Sequence, residues 1–274
     1  MNQPSIDQAN AEFWDELCGT NKAKQLGVTD NSPESITKFD NWYMDYYRYL
    51  NEWIPFEDLV GKMVLEVGLG YGTVLQRMLE AGVDYRGLDI ALGPVAMGNY
   101  RIGLVGGNGE CVHGSVLEAP FKDGLFDYVI SIGCLHHTGN FRKALSELYR
   151  VLRPGGSAII MVYYAYSFRR WSEMTNATIN QFLSEKLRIG KRRNVTKRER
   201  QRYDYDSEGQ VAPETEFLSR AEVKRVARSL GFKSVKQGLE LMGEGLLTRI
   251  IGRKSTLKIF SPIGGRHIYA RLTK

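Results

Sequence analysis

A chain of 274 residues with 43% hydrophobic residues, 25% charged residues and a net charge of +6 has ordinary globular composition. It is long enough for one large domain, or one domain with a cap. It has no apolar run of about 18 residues to span a membrane, and MNQPSIDQAN lacks the basic start and apolar core of a signal peptide. Its three scattered cysteines, Cys18, Cys111 and Cys134, argue against a disulfide framework and for a reducing, cytoplasmic setting. Without CxxC or HExxH spacing, no metal site is expected.

In chain order, residues 1–60 hold amphipathic, aromatic-rich helical pieces around Phe13, Trp14 and Leu17, and again from Trp42 to Trp53, with Pro55 as the breaker. These are expected to form an N-terminal helical cap. From Gly61 the pattern changes. MVLEVGL (63–69) reads as a buried strand, with a helix over 72–81 and a second strand in YRGLDI (85–90). A glycine-interrupted helical piece runs to Val105, followed by a weak strand at 109–114 and a strong one in FDYVISIG (126–133). FRKALSELYRVL (141–152) has helical spacing, RPGG (153–156) stops it, and GSAIIMVYY (156–164) is the fifth strand. Strands alternating with helices imply a parallel sheet with helices on both faces, here spanning a core at 61–164.

An insertion or lid at 165–213 interrupts the alternation. Its segment KLRIGKRRNVTKRERQR (186–202) holds nine Lys/Arg and one Glu, so the rest of the chain is slightly acidic. Any nucleic-acid reading is therefore confined to 186–202. Such a run also reads as a solvated helix face, a site for an acidic acceptor, or a contact for an anionic membrane surface. The alternation resumes in 214–274, with SRAEVKRVARSLGF (219–232), FKSVKQGLEL (232–241) and a last strand in GRHIYARLTK (265–274).

The turn VLEVGLGYGTVL (64–75) lies where open α/β sheets bind ligands, beyond the carboxyl ends of the strands. Gly68, Gly70 and Gly72 allow close backbone approach, and the following helix points its positive end there. A dinucleotide fingerprint would be GxGxxG; this is GxGxG, with Glu66 two residues before it. A carboxylate there repels phosphate and suits an ammonium group. Asp89 closes the second strand, where a carboxylate can accept both hydroxyls of a ribose. A nucleoside with a nearby cation and no pyrophosphate describes S-adenosylmethionine.

With LEVGLGYG, GLDI, FDYVISIGCLHHT and RVLRPGG in order, the chain resembles class I S-adenosylmethionine-dependent methyltransferases of the bacterial small-molecule, type 11 or quinone-pathway kind. The resemblance implies a Rossmann-like, seven-stranded, mostly parallel sheet with an antiparallel last strand. It implies cofactor contacts at Glu66, Gly68, Leu69, Gly70, Gly72, Asp89, Ile90, Ser115, Val116 and Gly133, with Tyr46 or Arg48 of the cap near the methionine carboxylate. S-adenosyl-L-homocysteine would be the product. Relatives often carry Asp where Ser115 stands, and its side chain takes the adenine amino group; Ser115 would hold that group less firmly.

His136 and His137 fall at the mouth where a methyl acceptor would lie, and either could serve as a general base. Quinone-pathway relatives carry Leu-Glu-His in place of Leu135-His136-His137, which favours His137. A base is not obligatory, because alignment alone contributes up to about 7–11 kcal/mol in well-oriented reactions. Cys134 reads as packing. Tyr163, Tyr164 and Tyr166 could line an acceptor pocket or simply face the core. Three functional readings follow: methylation of O, N or S of a small molecule; tRNA wobble-uridine methylation, whose enzymes carry a similar HH loop; and a cofactor-binding regulator or partner subunit without catalysis. The first fits best. The acceptor and the oligomeric state are open.

Overall fold

The structure, a computed structural model, describes residues 2–17, 19–241, 250 and 252–274, so Cys18 lies outside the described residues. The strands are β1 (Met63–Val67), β2 (Asp84–Asp89), β3 (Gly109–His113), β4 (Phe126–Ile132), β5 (Leu152–Tyr163), β6 (Ser234–Glu240) and β7 (His267–Thr273). They form one sheet in the order β3-β2-β1-β4-β5-β7-β6. β1 to β5 pair in parallel, and β7 runs antiparallel to both neighbours. The order reverses at β1 and β4, which opens a crevice at their carboxyl ends.

Two-residue alternation sends side chains to two separate cores. Leu65, Val67, Ala158, Ile160 and Val162 join one cluster, packed with Leu145 and Leu148 of α7 (Phe141–Val151) and Val223 and Ala227 of α11 (Arg220–Leu230). Val64, Ile130, Ile159 and Tyr269 join the other, with Leu75 and Met78 of α5 (Thr73–Glu80) and Leu50 and Trp53 of α4 (Leu50–Trp53). Burial on both faces explains why the central strands read as nearly unbroken apolar runs. In α7 the spacing Phe141, Ala144, Leu145, Leu148, Val151 puts every apolar residue on the sheet side. Asn140 caps the helix, its side-chain oxygen accepting from the Lys143 amide at 3.1 Å.

Two local expectations change. The glycines of 92–105 do not interrupt α6 (Leu92–Val105); at Gly98 an added Cβ would lie 2.5 Å from the Cys111 Sγ, so the helix needs a bare backbone to sit on β3. RPGG does stop α7, yet β5 already begins at Leu152, paired with Phe126, and Arg153–Gly156 form a bulge before Ser157 pairs with Tyr128. Beyond these, α12 (Arg253–Gly264) occupies a stretch that the sequence pattern leaves unassigned and carries Pro262 in its last turn.

The N-terminal residues form α1 (Gln3–Trp14), α2 (Thr20–Gln25), α3 (Pro33–Tyr46) and α4. The helix expected over 42–53 breaks at Tyr47, ahead of Pro55, and the turn delivers buried Tyr49 and Leu50 to the sheet. One buried ion pair fixes this layer. Arg101 of α6, fully buried, donates two hydrogen bonds to Asp40 of α3, at 2.7 and 3.0 Å, and Thr73 at the start of α5 donates to the same carboxylate at 2.5 Å. Removing one partner of such a pair leaves a buried charge alone. Asp40→Ala is therefore expected to lower the unfolding free energy by about 3–5 kcal/mol, and the double variant Asp40→Ala/Arg101→Met should lose clearly less, as measured by denaturant unfolding.

Candidate functional site

The site starts from the turn after β1. Gly68 has φ +83°, and a Cβ there would come within 2.5 Å of the Cys134 Cβ, so the β1 and β4 loops can meet only with glycine in that place. Gly72, at φ +77°, ends the turn against Arg101, whose Cδ an added Cβ would meet at 2.8 Å. α5 starts immediately after, with its free amides directed at the crevice.

Asp89 holds the turn in place. One carboxylate oxygen accepts from the Leu69 amide at 2.8 Å and the other from the Ala91 amide at 3.0 Å. Each oxygen keeps a second lone pair for a ligand hydroxyl. Burial pushes the carboxyl up to about 6, against the pull of these amides. Glu66 is more deeply set: burial raises it to about 8, although Tyr85 donates to it at 2.8 Å, and the nearby Asp89 adds to the rise. A cation in this crevice would reverse that balance and draw Glu66 into its charged form.

The crevice widens into a cavity of about 1060 Å³, counting its open mouth. Ten residues expected at the site lie on its wall: Glu66, Gly68, Leu69, Gly70, Asp89, Ile90, Ser115, Val116, Gly133 and His137. Gly72 stands behind the turn. Tyr46 and Arg48 do not reach the cavity: Tyr46 stacks on Trp42 and under the Arg253 guanidinium, and Arg48 pairs with Asp45 at 2.6 Å. Phe39 and Tyr43, one turn apart on α3, occupy that wall. Tyr164 and Tyr166 turn away as well, Tyr166 donating to Glu185 at 2.7 Å. Cys134 lines the wall, but burial pushes its thiol up to about 12, so it is a packing group there.

The two histidines separate. His136 is enclosed between His137 and Tyr163, both with ring centroids 4.1 Å away, and off the cavity wall. Burial drives its pKa well below the ordinary value, which makes it the weaker base of the two, and it does not reach the cavity lining. His137 lies on the wall, against Trp14. Its Nδ1 meets the Glu214 carbonyl oxygen at 2.7 Å; a carbonyl only accepts, so Nδ1 carries the proton. Nε2 then faces Asp204 Oδ2 at 3.7 Å. Burial raises the Asp204 carboxyl, and Tyr163 donates to its other oxygen at 2.8 Å. Asp204, from the 165–213 segment, carries no motif, and only the fold brings it here.

α1 contributes a wall that the sequence reading passed over. Asp7, Asn10 and Trp14 all face the cavity. Their spacing of three and four is one helix face, and a polar pair beside a tryptophan on that face was the available signal. Asn10 donates to the His137 carbonyl at 2.8 Å; its buried Oδ1 has no partner among the described residues. Asp7 Oδ2 lies 3.4 Å from the Ser115 hydroxyl. These acceptors suit a ligand that brings N–H donors, as an adenine amino group or an ammonium would.

Residues 65–160 match the family model described as a methyltransferase domain. This stretch is a methyltransferase domain. Over 102 residues the chain is 39% identical to the phthiotriol/phenolphthiotriol dimycocerosates methyltransferase of Mycobacterium tuberculosis, covering 36% of this chain and 37% of that protein. Over 101 residues it is 36% identical to the demethylmenaquinone methyltransferase of Renibacterium salmoninarum, covering 36% and 40%. The chain thus spans well under half the length of these relatives. A S-adenosylmethionine-dependent methyltransferase structure from Thermotoga maritima superposes with a TM-score of 0.53 at 19% identity, over 87% of this chain and 95% of that one, and the two share the class I fold.

Because Glu66 and Asp89 bind protons more tightly folded than unfolded, this contribution to stability is present at low pH and is lost as pH rises from about 4 through about 8. Glu66→Gln, which retains an acceptor for Tyr85, should flatten the decline. Melting temperatures from pH 5 to 9 should fall less steeply for the variant than for wild type.

Proposed function

We propose that the chain is an S-adenosylmethionine-dependent methyltransferase acting on a small, largely apolar metabolite. The observation that carries this reading is the joint placement of Glu66 and Asp89 on one wall, with the glycine turn between them and, among the described residues, no lysine or arginine on the cavity's lining. Asp89 would take the ribose hydroxyls, the backbone of 68–72 would follow the nucleoside, and Glu66 would face the methionine ammonium. S-adenosylmethionine supplies a methyl group on a sulfonium, open to in-line attack by an acceptor heteroatom. The protein's work is to align the acceptor and exclude water. Phe39, Tyr43, Tyr71 and Trp14 give the cavity an aromatic wall suited to an apolar acceptor. The names of the relatives, which concern a mycobacterial lipid and a quinone precursor, support the same class.

His137 would take a proton from the acceptor, a role supported by its place on the cavity wall. Nδ1–H held on the Glu214 carbonyl would leave Nε2 as the accepting atom, with an Asp204 carboxylate oxygen 3.7 Å from it. Asp7 substitutes for the aspartate that relatives carry at position 115. It reaches the Ser115 hydroxyl from α1 and offers a carboxylate for the adenine amino group.

Two tests follow. Binding a cation against Glu66 should release a proton, so S-adenosylmethionine affinity should rise with pH between 6 and 7.5, and Glu66→Gln should remove that slope in calorimetric titrations. Asp7→Ala should weaken S-adenosylhomocysteine by roughly tenfold, the loss of one hydrogen bond to a charged group, and Ser115→Asp in the same chain should restore it. Unchanged binding in Asp7→Ala would remove Asp7 from the adenine site.

A further inference from the structure

The 165–213 segment carries a second surface that the cavity does not use. α8 (Phe168–Glu173) and α9 (Thr175–Phe182) lead through a π-turn at Leu183–Leu187 to a tip, and every residue from Lys186 to Asn194 is exposed. Within the tip KLRIGKRR, Leu187 is 55% and Ile189 59% exposed, set between Lys186, Arg188 and Lys191. The apolar exposure continues behind it. Ile179 and Phe182, three residues apart on α9, are 41% and 38% exposed, and Trp171, at 39%, has its ring centroid 6.5 Å from that of Phe182.

Six of the nine bases of 186–202 fall into two groups, apart from Lys186, Lys197 and Arg198. Arg192 pairs with Glu222, Arg193 with Glu199 and Arg202 with Glu173, and Arg200 donates to the Val195 and Ala212 carbonyls. Those arginines fasten the segment to itself and to α11. Arg188 and Lys191 form no ion pair among the described residues and stand beside Leu187 and Ile189. A solvated helix face would not put aliphatic side chains at its most exposed point, where they gain nothing from water. A nucleic-acid surface would interleave stacking rings with its bases, whereas here Leu187 and Ile189 stand between the bases and the rings of Trp171 and Phe182 belong to α8 and α9.

We propose that the tip 186–193, with the strip Trp171–Ile179–Phe182, docks the protein on an anionic lipid surface. Leu187 and Ile189 enter the interfacial layer, Arg188 and Lys191 meet lipid phosphates, and Trp171 sits at headgroup depth. The contact is peripheral: among the described residues no helix is long and apolar enough to cross a membrane. The segment leaves the sheet at the carboxyl end of β5, the same edge at which the β1 and β4 crevice opens.

The test is co-sedimentation of the full chain with vesicles of phosphatidylcholine alone and of phosphatidylcholine with phosphatidylglycerol, and a parallel titration of total tRNA. The protein should sediment with the anionic vesicles and not with the neutral ones, and less so as salt rises. Leu187→Ser/Ile189→Ser should lower the partition coefficient about tenfold, and Arg188→Ser and Lys191→Ser about fivefold each. All should leave S-adenosylhomocysteine binding unchanged, which separates failure of this docking from failure of the cofactor reading. Equal partitioning onto both vesicle types, no partitioning, or tRNA binding that is lost in Arg188→Ser and Lys191→Ser but untouched in Leu187→Ser/Ile189→Ser would overturn the proposal.

Discussion

Asp89 connects the parts of the site. Its two carboxylate oxygens accept from the Leu69 and Ala91 amides, which ties the glycine turn of β1 to the end of β2 and to the start of α6. The sheet order reverses next to this point, so the turn is held open where two crossovers leave in opposite directions. Gly68 then lets the β4 loop approach close enough to put Cys134, Gly133 and His137 on the opposite wall. Without the carboxylate, the amides of the turn lose their acceptor and the wall loses its register.

The N-terminal layer completes the enclosure through a different interaction. Asp40 receives both Arg101 and Thr73, which fastens α3 over α5 and α6 and holds Phe39 and Tyr43 at the cavity. α1 crosses to the β4 loop through Asn10 and Gln3, which donate to the carbonyls of His137 and Thr138. The cavity is thus lined by two layers of distant sequence. The strand ends contribute Glu66, Asp89 and the glycine turn, and the N-terminal helices contribute aromatic faces and Asp7.

The parts legible from sequence are those that local chemistry determines. The strand–helix alternation, the GxGxG turn, Glu66 and Asp89 could be read because their spacing is set by backbone geometry on consecutive elements. The 39–46 face was misjudged because aromatics crowd that helix on all sides, and only packing against Arg253 and Asp45 decides that Tyr46 and Arg48 turn outward. His137 is favoured over His136 by the resemblance and not by residue type, since both are histidines and one 3-10 turn sends one ring into the core and its neighbour to the wall. Asp204 and Asp7 were out of reach for a further reason. Each meets its partner, His137 or Ser115, across a long stretch of chain, and no pattern around either residue marks the contact.

The measurement that bears most directly on the central reading is calorimetric titration of S-adenosylmethionine and S-adenosylhomocysteine into wild type and into Asp89→Ala, with thermal unfolding to show that both are folded. The account predicts micromolar binding of both ligands by wild type and its loss in a variant that still unfolds cooperatively. Folded wild type that binds neither ligand, or Asp89→Ala that binds them as wild type does, would contradict it.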